Sequence, residues 1–234
     1  MADVKTRLMR AANVRVLSNY RRLRSIRRTN NLPTLRTEDV AQHSFYVAIL
    51  ATSLAEDYNN EVMRHNLNFH PMDVDNTYDT VDVGAVTRQA LFHDMEEAFT
   101  SDIPWNVKHH NDETRSAIQQ CVRDKLDIVF KGTDGPVSSH KDTILYAKLG
   151  LPGKFVNAAD NLEGAWYCYT ELEMGNKYLE DLFRKYLMVI RDDPFSALLW
   201  KFSPIFMEIM AIFEAKESEL SNSLSNYQTR MILD

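Results

Sequence analysis

His93 and Asp94 stand side by side in the chain, with His43 upstream and Asp160 downstream. An imidazole and a carboxylate adjacent in sequence can both reach one divalent cation, and two more ligands delivered by other elements would close the site. A mixed nitrogen and oxygen set of His43, His93, Asp94 and Asp160 suits Mn, Co, Fe or Zn, with Mg also possible, better than Ca. Water on such an ion becomes a nucleophile near neutral pH. Asp160 lies among Phe155, Val156, Ala158, Ala159 and Leu162. An ionised carboxylate is costly in such a setting unless it is paired or bound to a cation. His43 precedes an apolar stretch with Val47, Leu50 and Leu54, near the start of that helix. The dipeptide alone is a weak signal, because most histidines are surface or satisfied core residues.

Glu97 follows His93 by four residues, so on a continuous helix the two share a face. The carboxylate could then act beside the ion without binding it. Glu96 reads instead as a solvated helix-surface acid. Asp102, in the turn-forming run Thr100-Ser101-Asp102-Ile103-Pro104, and Lys108 beyond it are singly explained as a cap and a solvated charge. His65, His70, His109, His110 and His140 lie in polar contexts and read as background.

The elements that must position these residues are helical. Seven glycines and seven prolines in 234 residues leave the 3.6-residue period dominant, and no alternating strand pattern appears. The fold class is all-α. Helices are expected over residues 5–25 (through Leu8, Ala12, Leu17, Tyr20 and Leu23), after His43, from Gly84, and over 112–130, 154–175, 177–191 and 195–220. A long polar loop or insertion is expected at 60–83, and a second loop-rich segment at 131–153. The aromatic run Phe195 to Phe213 reads as core or dimer interface.

Apolar residues at 44% and charged residues at 26% fit a folded domain, here a single one over 1–234. No apolar run approaches the ~18 residues of a membrane span. The N-terminal Met1-Ala2-Asp3-Val4-Lys5 lacks a secretory core, and Cys121 and Cys168 match no disulfide framework or zinc spacing. The expectation is a cytoplasmic protein with no membrane partner. Residues 1–36 carry ten Lys or Arg against one acid, while the whole chain is at −6, so the remainder carries −15. That acidic remainder disfavours a nucleic-acid channel. The basic terminus reads as a solvated helix face, with Arg28 and Arg36 the candidates to line an anionic pocket, since a guanidinium binds phosphate bidentately.

Taken together, these motifs resemble a known family. The order His43, His93-Asp94, Asp160 resembles the metal signature of HD-domain phosphohydrolases. More narrowly, Arg36-Thr37-Glu38-Asp39-Val40-Ala41-Gln42-His43-Ser44 is similar to the R-T-E-x-V-x-x-H-S segment of bacterial 5′-deoxynucleotidases. The run from His93 to Pro104 is similar to that family's H-D-x-x-E-x-x-T-G-D-L-P, Ala159 to Leu162 to its A-D-x-L, and Glu171 to Asn176 to its E-x-x-x-G-N.

The resemblance implies an HD-domain helical bundle, a deoxynucleotide substrate and a homodimer. It implies His43, His93, Asp94 and Asp160 as metal ligands, Glu97 and Asp102 as acidic catalytic residues, and Arg28 and Lys108 as phosphate contacts. Thr29 stands where the family has a Trp that shapes the sugar and base pocket. The activity implied is release of phosphate from deoxynucleoside monophosphates. The related phage dATP triphosphohydrolases share the metal and Glu pattern, and such a phage-encoded enzyme would act in the host cytoplasm. For a triphosphate, Arg21, Arg22, Arg24 and Arg27 could supply further cations. A third reading is an HD protein that binds nucleotides without turnover, against which the intact Glu97 speaks.

Overall fold

The computed structural model describes residues 2–29, 31–67, 78–103, 105–108 and 110–233, without the side chains of 2, 3, 105, 106 and 223–233. Among these residues there is no strand; the one β-bridge pairs Arg27 with Asp39. The helices are α1 Ala2–Tyr20, continued by a 3₁₀ turn Arg21–Ser25, α2 Val40–Leu67, α3 Val83–Phe92, α4 Glu97–Thr100, α5 Trp105–Lys108 and α6 Asp112–Val129. After them come α7 Gly135–Ser138, α8 His140–Leu145, α9 Gly150–Glu173, α10 Glu180–Asp192, α11 Ser196–Phe202 and α12 Pro204–Leu233.

One apolar core joins α2, α3, α9, α10, α11 and α12, through Val47, Ala51, Leu54, Phe155, Ala159, Leu162, Phe183, Leu187, Phe206 and Phe213 among others. Each of these helices contributes residues spaced by three or four, so each turns one stripe inward. Helix α2 is started by a reciprocal cap. Asp39 Oδ1 accepts from the Gln42 backbone N–H at 2.9 Å, and Gln42 Oε1 accepts from the Asp39 N–H at 3.1 Å. That cap fixes the first turn, and with it His43.

The structure shifts several expected boundaries. Residues 60–67, expected in a loop, continue α2, because Val62 still packs into the core and Asn59 and Asn66 hold the backbone of Val81 and Tyr78. The middle of that expected loop, residues 68–77, lies outside the described residues. The expected 195–220 helix is two helices meeting at 112°, since Ser203 is extended before Pro204. Among the described residues, no single helix is long and apolar enough to cross a membrane. In α1 and its 3₁₀ continuation the inward stripe is Ala12, Val16, Tyr20 and Leu23, while Leu8 and Leu17 are exposed. The 131–153 segment holds the short helices α7 and α8.

The end of α9 explains the Glu171-to-Asn176 motif. Gly175 has φ +90°, and the Asn176 and Gly175 N–H groups bond back to the carbonyls of Glu171 and Leu172 at 2.9 Å each, the left-handed helix stop. The buried Glu171 carboxylate then accepts from the backbone N–H of Leu35 and of Arg36, both at 2.7 Å, and from Asn176 Nδ2 at 2.6 Å. Asn176 Nδ2 also donates to the Pro33 carbonyl at 2.9 Å. The loop carrying Arg28 is thereby tied to α9.

Burial opposes ionisation of Glu171, but its hydrogen bonds outweigh it and hold the pKa below the ordinary carboxylate value. A lowered folded-state pKa means stability that is complete above the ordinary value and lost as pH falls through the folded one. Glu171→Gln is expected to lower unfolding stability at pH 7 by about 2 kcal/mol. In urea titrations the gap from wild type should narrow as pH drops below about 4; equal stability at pH 7 would show that the carboxylate anchors nothing.

Candidate metal centre and substrate cavity

His43 and His93 meet at the centre of the molecule, both buried. His43, on the first turn of α2, sets its Nδ1 against Glu163 Oε2 on α9. His93, at the C-terminal end of α3, sets its Nδ1 2.7 Å from the Ala90 carbonyl. A carboxylate and a carbonyl are both acceptors, which assigns a proton to Nδ1 of each imidazole and turns each Nε2 toward the cluster. Those two Nε2 atoms lie 3.2 Å apart. Two lone pairs facing each other at that distance repel unless a cation or a proton stands between them.

The carboxylates converge on the same point. Asp160 Oδ1, from α9, is 3.1 Å from His43 Nε2 and 3.8 Å from His93 Nε2. Asp94 Oδ2 is 3.2 Å from His93 Nε2 and 3.6 Å from His43 Nε2. The four residues thus bring two nitrogens and two oxygens together from α2, the α3–α4 turn and α9, and His43, His93 and Asp160 alone already form a cluster fit for an ion. Burial disfavours charge on His93, yet the adjacent Asp94 outweighs it and pushes its pKa to about 10. Asp94 and Asp160 are held well below the carboxylate range against their burial, Asp94 chiefly by His93 and Asp160 chiefly by Lys148. The cluster is built around a positive charge, and a divalent metal fits it.

Between α3 and α4 the chain leaves the α-helical path. The N–H groups of Met95, Glu97 and Ala98 bond to carbonyls three residues back, at 3.1 to 3.2 Å. The i to i+4 spacing therefore does not place Glu97; the tight turn over 93–96 does. It leaves Glu97 buried, with Oε1 accepting from Lys108 Nζ at 3.0 Å. Burial first and the Asp94 charge second push the Glu97 pKa to about 8. Glu96 corrects the expectation of a solvated acid. Its Oε2 is buried with no hydrogen-bond partner, and burial pushes its pKa to about 7. Ser101, where the family motif has Gly, sits at φ +66°, ψ 165°, a conformation otherwise almost confined to glycine.

A cavity of about 570 Å³ opens onto the cluster, lined by Arg28, Thr29, Asp94, Glu97, Asp102, Lys108 and Asp160. Of the N-terminal arginines named from the sequence, Arg28 lines it. Arg36 lines a separate 410 Å³ cavity between α2 and α9. Thr29 has φ +48°, and its hydroxyl turns back to the Arg28 carbonyl at 2.8 Å. Burial and the neighbouring charges act against each other on Asp102, and burial raises its pKa.

Sequence reasoning missed three residues here. Glu163 orients His43 and stands 3.5 Å from Arg28 Nη1. Burial raises the pKa of Glu163 to about 7 and that of its hydrogen-bond partner Glu38 to about 8. Lys148 sets Nζ 2.5 Å from Asp160 Oδ2 and lines the cavity. Glu163 was within reach of a pattern reading, being a carboxylate three residues after Asp160 in an apolar helix. Lys148 carried no such signal.

A sequence profile of the YfbR-like 5′-deoxynucleotidases matches residues 16–207 of this chain. The chain belongs to this family. A 5′-deoxynucleotidase of Yersinia pestis (strain Pestoides F) is 32% identical over 159 residues, covering 66% of this chain and 72% of that protein. Among solved structures, an HD-domain phosphohydrolase from Listeria innocua superposes with a TM-score of 0.64 at 20% identity, over 92% of this chain and 97% of its own. The cyanophage S-2L HD phosphohydrolase DatZ, solved with dA and one catalytic Zn²⁺, gives 0.50 at 14% identity, over 86% and 96%. These structures share the fold of this YfbR-like chain, an all-α HD-domain bundle.

If the four donors hold one ion, removing one must empty the site. Asp94→Ala is expected to carry less than a tenth of the wild-type content of transition metal by elemental analysis while keeping the wild-type helical circular-dichroism spectrum. Full metal content in that variant would remove Asp94 from the ligand set.

Proposed function

We propose that this YfbR-like chain is a metal-dependent 5′-deoxynucleotidase, cleaving deoxynucleoside monophosphates to deoxynucleoside and phosphate. The observation that carries the reading is Arg28. Its Nη1 is buried beside the metal-fitted cluster and has no hydrogen-bond partner, with Glu163 the nearest anion at 3.5 Å. A guanidinium desolvated in this way, in the wall of a cavity, is set for an anion of fork geometry such as phosphate.

An ion of the Co, Mn, Zn, Fe or Mg class held by His43, His93, Asp94 and Asp160 would supply Lewis-acid polarisation of a phosphoryl oxygen. The chain's own residues do the rest. Arg28 binds the phosphate oxygens and offsets their charge. Lys108 fixes Glu97 by its bond to Oε1 and leaves Oε2 as the atom that moves protons. Burial raises the pKa of Glu97, which moves its carboxyl toward the range that general acid–base work at neutral pH uses. Asp102, on the same cavity wall, is the second acid of this reading. In the net reaction a water oxygen bonds to phosphorus, the P–O5′ bond breaks and the 5′ oxygen takes up a proton.

A second reading, triphosphate release from dNTPs, has one observation in its favour: Lys148 and Lys185 line the same cavity as Arg28 and Lys108. Arg21, Arg22 and Arg24 lend it no support, being exposed and away from the lining. Assembly as a homodimer and action in the cytoplasm belong to the proposal. Exposed Phe45, Tyr46 and Ile49 on α2 and Trp166 on α9 offer an apolar face for a second copy. Light scattering of the purified protein should give twice the chain mass, and a monomer at micromolar concentration would discard the dimer.

One assay separates the hydrolytic readings. Wild-type protein loaded with Co²⁺ or Mn²⁺ is expected to release phosphate from dNMPs, and Glu97→Gln to keep its metal while losing kcat by at least ~10²-fold. Intact triphosphate released from dATP, with dAMP untouched, would overturn the monophosphatase assignment. A near-normal rate in Glu97→Gln would overturn the role given to Glu97.

A further inference from the structure

The substrate cavity has two unlike sides. One carries the donor cluster with Glu97, Lys108 and Arg28. The other is α10, whose Leu182, Tyr186 and Val189 stand at i, i+4 and i+7 and line the cavity as an apolar stripe, with Lys185 of the same helix beside it. Among the described residues Tyr186 is the aromatic side chain of that lining.

Its position depends on a glycine. A Cβ at Gly164 would lie 2.4 Å from Tyr186 Cζ and 2.7 Å from its hydroxyl oxygen, closer than real contacts allow. Gly164 is in the interior of α9, where glycine is unfavourable relative to alanine, so the ring seated on it accounts for its presence. It also lies four residues after Asp160, one helical turn away. The phenol end of Tyr186 is therefore seated against the helix that carries a proposed metal ligand.

Thr29 cannot do what an aromatic residue at its position would do. It is small, and its hydroxyl is turned back to the Arg28 carbonyl. A nucleotide whose phosphate meets Arg28 must place its sugar and base against some apolar surface of the same cavity, and the α10 stripe is the continuous one. We propose that Leu182, Tyr186 and Val189 form the nucleoside-binding wall, and that Tyr186, seated on Gly164, packs on the deoxyribose and rejects a 2′-hydroxyl. A hydroxyl pressed against the ring loses water and gains no acceptor. Rejection of an added hydroxyl by an apolar surface reaches on the order of 10²-fold. The inference rests on the deoxynucleotidase reading above.

The test compares kcat/KM for each dNMP with its ribonucleotide counterpart in wild type, Tyr186→Phe, Tyr186→Ala and Gly164→Ala, with metal content measured throughout. Wild type should prefer the deoxynucleotide by about 10²-fold, and Tyr186→Phe should keep that preference because the ring supplies the wall. Tyr186→Ala and Gly164→Ala should lower the ratio about tenfold or more at unchanged metal content. An unchanged ratio in Tyr186→Ala would overturn the proposal. If wild type hydrolyses no nucleotide, the deoxynucleotidase reading fails by itself, and calorimetric titration with deoxyadenosine and adenosine then decides the wall. Selectivity for deoxyadenosine that is lost in Tyr186→Ala supports it, and equal binding of the two nucleosides by wild type sinks it.

Discussion

Two imidazole nitrogens, His43 Nε2 and His93 Nε2, face each other across 3.2 Å at the centre of this protein with their lone pairs toward the same point. Neither ring can relieve the repulsion by changing tautomer, because Glu163 and the Ala90 carbonyl hold each Nδ1 proton. Positive charge between the rings is the remaining solution, and Asp94 and Asp160 close around the same point. The geometry makes a strong demand on the scaffold. Three separate elements must arrive in register to within a fraction of an ångström, and the close-packed core of α2, α3 and α9 provides that rigidity.

Around this point the protein gathers more acid than a buried region tolerates unaided. Glu38, Glu96, Glu97, Asp102 and Glu163 are all pushed toward their neutral forms by burial, while Arg28, Lys108 and Lys148 stand among them as fixed cations. The resulting arrangement holds two carboxylates firmly ionised and several others near neutrality. Groups whose pKa values are driven apart in one cavity are the arrangement that acid–base chemistry uses.

The charges around the cluster have a mechanical counterpart in the Glu171 anchor. Arg28 sits on a segment without regular structure, between the 3₁₀ turn and α2. Such a segment would place a guanidinium loosely. The backbone bonds from Leu35 and Arg36 to Glu171, and the Arg27–Asp39 bridge, tie the segment to α9 and α2, the helices that also carry Asp160 and His43. Arg28 and the metal-fitted cluster are thus referred to the same two helices.

The sequence by itself determined the helices and the residue types that meet at the centre. The 3.6-residue period is a local property, legible without knowing what each stripe packs against, and a carboxylate in an apolar helix such as Asp160 announces a partner. The motif around Asp39 and Gln42 writes its own cap. Tertiary structure decided the rest. The turn over 93–96 replaces the helix that spacing implied, because His93 must face α2 while Glu97 faces the cavity. Lys148 and Tyr186 join the site from segments whose sequence carries no chemical signature, and Glu96, ordinary on a helix wheel, has its Oε2 buried by the fold. Tertiary proximity creates these roles: Lys148 meets Asp160 on the next helix, Tyr186 is seated on Gly164 of α9, and His43 meets Glu163 from far along the chain, and local pattern encodes none of these meetings.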